Sequence, residues 1–127
     1  MVIMEPVKTK NECVQAICRF PKIYSELNLS AIEIVRKSKY WEYRDSITMK
    51  DIEDEVKKDL TIVDLWLQFT DDKRWTPAWG LSHFDNDYTL FYMFRNGNTE
   101  IKVKYKDGFK ACARLIHLEM EGIRIKS

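Results

Sequence analysis

Residues 79–105 read Trp79-Gly-Leu-Ser-His-Phe84, Asp85-Asn-Asp87, Tyr88-Thr-Leu-Phe-Tyr-Met-Phe94, Arg95-Asn-Gly-Asn98 and Thr99-Glu-Ile-Lys-Val-Lys-Tyr105. Three runs rich in aromatic and β-branched residues, divided by two connectors of turn chemistry, predict strands over 79–84, 88–94 and 99–105. The Asn-Gly pair in the second connector signals a hairpin, because these residues tolerate the positive φ of a tight reversal. In the third run Ile101, Val103 and Tyr105 alternate with Glu100, Lys102 and Lys104. That alternation predicts an antiparallel meander with one dry and one wet face. Asp107 then caps a last helix on which Phe109, Cys112, Ile116, Met120 and Ile123 share a side. The natural packing lays this helix across the dry face of the sheet.

Upstream of the sheet the rhythm is helical. Thr48 and Asp51 form a cap for a helix expected over Thr48 to Gln68. Its stripe of Met49, Ile52, Val56, Leu60, Val63 and Leu67 faces a core, while Glu53, Asp54, Lys57 and Lys58 stay in water. Thr61 and Ile62 lower helix propensity, so a kink or break is expected near them. Ser30 and Glu33 have capping-box spacing and open another helix, with Ile32, Val35 and Tyr40 on one face. A short helix spans Asn11 to Phe20, capped by Asn11 and stopped by Pro21, with Cys13, Val14, Ile17 and Cys18 on one side. The expected fold is α+β: N-terminal helices, a three- to four-stranded antiparallel meander and a C-terminal helix packed on the sheet. One domain over 1–127 is expected, with a helical part at about 9–70 and the sheet and closing helix at about 75–125.

The 127 residues, 45% hydrophobic and 32% charged with four Gly and three Pro, suffice for a real core and exclude a disordered or collagen-like chain. Net charge is +1, which gives no global case for a nucleic-acid or membrane partner. The charge is unevenly placed. Residues 1–41 carry seven basic and four acidic side chains, residues 42–72 four and ten, and residues 73–127 ten and six. The acidic centre is either a solvated face with intramolecular pairing or a docking surface for a cationic partner. Cys13, Cys18 and Cys112 lie in apolar helical patterns without Cys-x-x-Cys spacing, and read as reduced core residues. With no export signal and no apolar run of about 18 residues, a cytoplasmic location without a membrane span is expected.

Candidate chemistry is sparse. His83 and His117 are the two histidines, and no Asp, Lys or Ser joins them in a recognisable constellation. His117 precedes Glu121 by four residues, the spacing of an ordinary surface ion pair, and His83 is a strand residue half in water. Metal-ligand spacings, a phosphate loop and a nucleophile elbow are absent from the sequence. Asp71, Asp72, Asp85 and Asp87 either converge on a hard cation or serve as turn formers. The expectation is no catalytic residue, no metal and no cofactor. Aromatic residues are the unusual feature. Trp66 and Trp79 fit the core, whereas Trp41, Tyr43 and Trp75 sit among charges, as packing residues or as anchors of a binding surface.

Two stretches carry a resemblance. Leu65-Trp-Leu-Gln-Phe-Thr-Asp-Asp-Lys-Arg74, followed by Trp79, is the first; Tyr105-Lys-Asp-Gly-Phe-Lys-Ala-Cys-Ala-Arg-Leu-Ile-His-Leu-Glu119 is the second. Together they resemble small bacterial immunity proteins encoded beside polymorphic toxins, such as those of contact-dependent growth inhibition systems. In such proteins a Trp and a Ser/Thr-x-Asp-Lys-Arg segment lead into a short meander, and an Ala-Cys-Ala helix ends the chain. The resemblance covers roughly residues 60–122. It implies a stoichiometric, non-catalytic inhibitor that binds a cognate toxin domain, often a nuclease, and blocks its active site or substrate channel. Such toxins tend to be basic, so the acidic block is the side to offer. The implied contacts are Glu53, Asp54, Asp71 and Asp72, with Trp41, Tyr43 and Trp75 as aromatic anchors. No nucleic acid is a partner in this reading, and a homo-oligomer is left open. The alternative is a small nucleic-acid-binding or regulatory module using an aromatic and basic sheet face. Reversing the charge of Asp71 and Asp72 together is expected to slow association with the toxin domain while leaving the fold intact. Stopped-flow binding checks this, and an unchanged on-rate would assign both residues to solvated surface.

Overall fold

In the computed structural model the described residues are 6–71, 78–94 and 98–126. Six helices come first: α1 (Lys10–Cys18), α2 (Phe20–Glu26), α3 (Ala31–Lys37), α4 (Tyr40–Tyr43), α5 (Met49–Lys58) and α6 (Thr61–Asp71). Strands β1 (Ala78–Phe84), β2 (Asp87–Met93) and β3 (Thr99–Tyr105) follow, and α7 (Gly108–Lys126) closes the chain. The architecture is α+β, with an antiparallel sheet in the order β1-β2-β3.

The helix boundaries follow from local hydrogen bonding. Ser30 and Thr48 accept from the amides of Glu33 and Asp51, whose carboxylates accept back from the capping residues' amides, so both capping boxes form. The cap of α1 is Thr9 rather than Asn11, because Thr9 Oγ1 accepts from Glu12 N at 3.1 Å. Pro21 does not end the helical region. It stands in the first turn of α2, where an amide has no intrahelical partner to lose. The helix expected over Thr48 to Gln68 is two helices. Asp59 turns extended (φ −134°, ψ 100°) and its carboxylate accepts from both the amide and the hydroxyl of Thr61, so it starts α6. This is the break expected near Thr61 and Ile62, and it turns Leu60 out of the core stripe to 68% exposure.

Trp66 is the hub of the helical half. Its ring is buried against Phe20 and Phe69, and its Nε1–H donates to the carbonyl of Cys18 at 2.8 Å. That carbonyl lies in the last turn of α1, where no intrahelical donor remains for it. Thr70, one turn on, donates its hydroxyl to the Trp66 carbonyl and accepts the amide of Leu81 on β1 at 3.0 Å. The edge of the sheet is thereby tied to α6.

In the sheet, Asp85 and Asn86 adopt positive φ (52° and 66°) in a two-residue hairpin, and Asp87 already belongs to β2. The Arg95–Gly97 part of the second connector lies outside the described residues. Leu81 and Leu90 pair across β1 and β2 and are buried, as are Cys112, Ile116, Met120 and Ile123 of α7; Phe109 is partly buried. Helix α7 packs on all three strands. Asp107 Oδ1 accepts from the amides of Phe109 and Lys110, which confirms its capping role. The alternation expected along β3 holds at Glu100, Lys104 and Tyr105 but fails at Val103. A register shift pairs Leu90 with Val103 but Phe91 with Ile101, so Lys102 is an extra residue, and Val103 is 45% exposed instead of dry.

Two glycines give opposite expectations. A Cβ at Gly80 would lie 2.7 Å from the Phe91 ring and 2.7 Å from the Thr70 methyl, whereas at Gly122 nothing lies within 4 Å. Gly80→Ala is expected to lower stability by about 1–3 kcal/mol, through overpacking at the joint of α6 and the sheet. Gly122→Ala, in the interior of α7, should raise it by about 0.5–1 kcal/mol. Urea unfolding of the two variants against the parent checks both signs.

Candidate functional site

The chain turns sharply between α3 and α4, where Lys39 takes the left-handed conformation (φ 66°). The turn sets Tyr40, Trp41 and Tyr43 on one short helix. Tyr40 is buried, and its hydroxyl donates to Glu121 of α7 at 2.5 Å. Trp41 is half-buried, with the guanidinium of Arg36 5.9 Å from its ring centroid, within cation–π range. Tyr43, also half-buried, donates its hydroxyl to the Lys8 carbonyl. Arg44 follows, gripping both oxygens of Glu121 through Nε (3.0 Å) and Nη2 (2.8 Å), and Arg124 adds a further contact to the same carboxylate. Hydrogen bonds from Arg44, with help from Tyr40 and Arg124, hold the Glu121 carboxyl down to about 2, against partial burial that acts the other way.

Glu121 therefore pairs with Arg44 and not, as its spacing suggested, with His117. Burial and the nearby Arg114 keep the half-buried His117 below its ordinary value. His83, more exposed than expected, stacks its ring on Tyr88 at 4.1 Å. The three cysteines are free thiols in the core; burial pushes Cys13 and Cys18 up to about 12 and Cys112 higher still. As thiols of that kind they are protonated near neutral pH and poor nucleophiles. Among the described residues no group of three His, Cys, Asp or Glu side chains is placed to hold a metal ion. Asp87 pairs with Lys106.

The acidic block is largely engaged within the molecule. Lys10 pairs with Asp51 (3.1 Å), Arg19 with Glu55 (2.8 Å) and Asp59 (3.4 Å), Lys39 with Glu42 (3.6 Å), and Lys50 with Asp54 (2.9 Å). Intramolecular pairing thus accounts for much of the −6 balance of residues 42–72. Among the described residues no ion pair engages Glu53, Asp64 or Asp71. The expected contacts are spread over three helices: Trp41 and Tyr43 on α4, Glu53 and Asp54 half-buried on α5, and Asp71 exposed at the end of α6. Asp72 and Trp75 lie outside the described residues. Helix α4 packs mainly on α1 and α3, and α5 on α7 and α1, so the aromatic pair and the carboxylates share α1 as a neighbour and differ in the other. Sequence reasoning missed Arg44 and Glu121, which are 77 positions apart and carry no local signal of their contact.

Among the described residues no helix is long and apolar enough to cross a membrane. Comparison with protein-family models, curated proteins and solved structures found no match.

The depressed Glu121 carboxyl makes a pH prediction. Its contribution to stability is complete above its ordinary 4.5 and is lost as pH falls through about 2. Glu121→Gln is expected to be less stable than the parent by on the order of 2 kcal/mol near neutral pH. The gap should close as pH falls from 4.5 towards 2. Thermal melts of both proteins across that range test it, and a constant gap would remove ionisation as the cause.

Proposed function

We propose that the chain is a cytoplasmic, non-catalytic inhibitor of the immunity type, which binds a cognate toxin domain and covers its active site or substrate channel. The observation that supports this reading best is the corner of α3 and α4. There Arg36 over Trp41, Tyr43 on the Lys8 carbonyl and Arg44 clamped by Glu121 present arginine and aromatic side chains in fixed positions. Arg, Trp and Tyr dominate the energetics of protein interfaces, and groups already held in place lose little freedom on binding. The groups that acid–base or nucleophilic chemistry would use have other roles here: the thiols are core, His83 is stacked and Glu121 is an ion-pair centre.

The test is gel filtration of the chain with the C-terminal domain of the protein encoded immediately upstream, combined with an assay of that domain's toxicity. An equimolar complex and loss of toxicity are expected, and Trp41→Ala should weaken the complex about tenfold or more, as loss of an anchor does. Separate elution at micromolar concentration would overturn the proposal. Salt-sensitive binding of RNA in its place would favour the nucleic-acid module.

A further inference from the structure

We propose that the outward face of α7 is a docking surface for an acidic protein partner. Lys110, Arg114, His117, Glu121 and Arg124 follow one another at spacings of four, three, four and three. That spacing keeps side chains in one line along a helix. At 1.5 Å per residue the line runs about 21 Å. The opposite side of α7 is core, while Lys110 and Arg114 are exposed and the other three half-buried. The single acid of the line, Glu121, is neutralised by Arg44 and Arg124, and Arg44 also pairs with Asp45, so the cations left over are Lys110 and Arg114. Among the described residues no carboxylate pairs with Lys110 or Arg114. The basic charge here is unmatched, in contrast to α5, whose acids are largely paired.

The chemistry of the flank selects a protein over a nucleic acid. Leu118, one turn beyond Arg114, is half-buried, and Ile125, seven residues further on, is 73% exposed. The cations thus run beside an apolar edge, the mixture found where a polar rim meets the core of a protein interface. A phosphodiester backbone has no use for that edge, and a chain of net charge +1 lacks the broad basic field such binding needs. The surface follows from charge and position on α7 alone and does not depend on the partner's being a toxin.

The experiment uses the full chain and a labelled synthetic helical peptide with Glu at four-three spacing and Leu on one flank. A scrambled peptide of the same composition and a single-stranded DNA oligonucleotide serve as controls, all read by fluorescence anisotropy. The patterned peptide is expected to bind most tightly. Lys110→Glu with Arg114→Glu should weaken it about tenfold or more, while Lys57→Glu with Lys58→Glu on α5 should leave it within about twofold. Circular dichroism should show both double variants folded, since Lys110 and Arg114 pair with no carboxylate among the described residues. Equal binding of the scrambled peptide, tighter binding of the DNA, or equal losses in the two double variants would each overturn the surface. The toxin domain separates the two proposals. A parent chain that binds the toxin domain but does not prefer the patterned peptide overturns this surface and leaves the inhibitor reading standing. A parent chain that binds the peptide but not the toxin domain does the reverse.

Discussion

A hydrogen-bonded relay joins the two halves of the molecule: Trp66 donates to the Cys18 carbonyl, Thr70 donates to the Trp66 carbonyl, and Leu81 donates to the Thr70 hydroxyl. Each link satisfies a group that would otherwise be left without a partner in a poorly hydrated place. The indole N–H is fully desolvated, the Cys18 carbonyl ends a helix, and the Leu81 amide faces outward from its sheet neighbour towards α6. Leaving such a group unpaired costs about 1–3 kcal/mol, more than a typical hydrogen bond contributes net. The relay therefore acts as a constraint more than as a source of stability. It holds α6 close against β1, and the close approach explains a glycine at position 80, where a side chain would meet the Thr70 methyl.

Electrostatics follows a comparable division. Lys10, Arg19 and Lys39 of the N-terminal segment are used on acids of α4, α5 and the residue that follows α5, which offsets part of the negative charge of the helical half. In the partly buried Arg19–Glu55 contact desolvation of Glu55 opposes the attraction, and removing Arg19 would leave the buried Glu55 carboxylate without this partner. Glu121 plays a different part. Its partners come from α4 and from its own helix, and the clamp fixes a four-residue helix too short to stand alone.

What could be read from the sequence was what local chemistry determines. Thr48 with Asp51, Ser30 with Glu33 and Asp107 all cap as their spacing indicates, and the apolar stripe of the last helix is the core stripe. The misreadings lie where two local signals compete or where the deciding partner is remote. Asp59 is a plausible mid-helix residue until its carboxylate is seen capping Thr61 and meeting Arg19, forty positions away. Pro21 stops one helix and starts another equally well. The extra residue at Lys102 depends on pairing with β2, which alternation within β3 cannot reveal. For the candidate site, Trp41 and Tyr43 were legible as aromatic residues in polar company. Arg36 and Arg44, which hold or face this corner, were not, since their contacts arise from a left-handed turn at Lys39 and from a helix late in the chain.

If the outer face of the last helix is a docking surface, stability and recognition are kept apart on it. Its inner side carries Cys112, Ile116, Met120 and Ile123 against the sheet and the helical layer, and substitutions there act on the fold through cavities or overpacking. Its outer side carries Lys110 and Arg114, whose side chains pair with no carboxylate among the described residues, so their charge can change at little cost to folding. Glu121 is the exception that connects the two. Through Tyr40 and Arg44 it fixes the α3–α4 corner, so the position of Trp41 and Tyr43 depends on a residue within the basic line. A partner that contacted both regions would meet one preformed surface, because the clamp that aligns them is already made in the free protein.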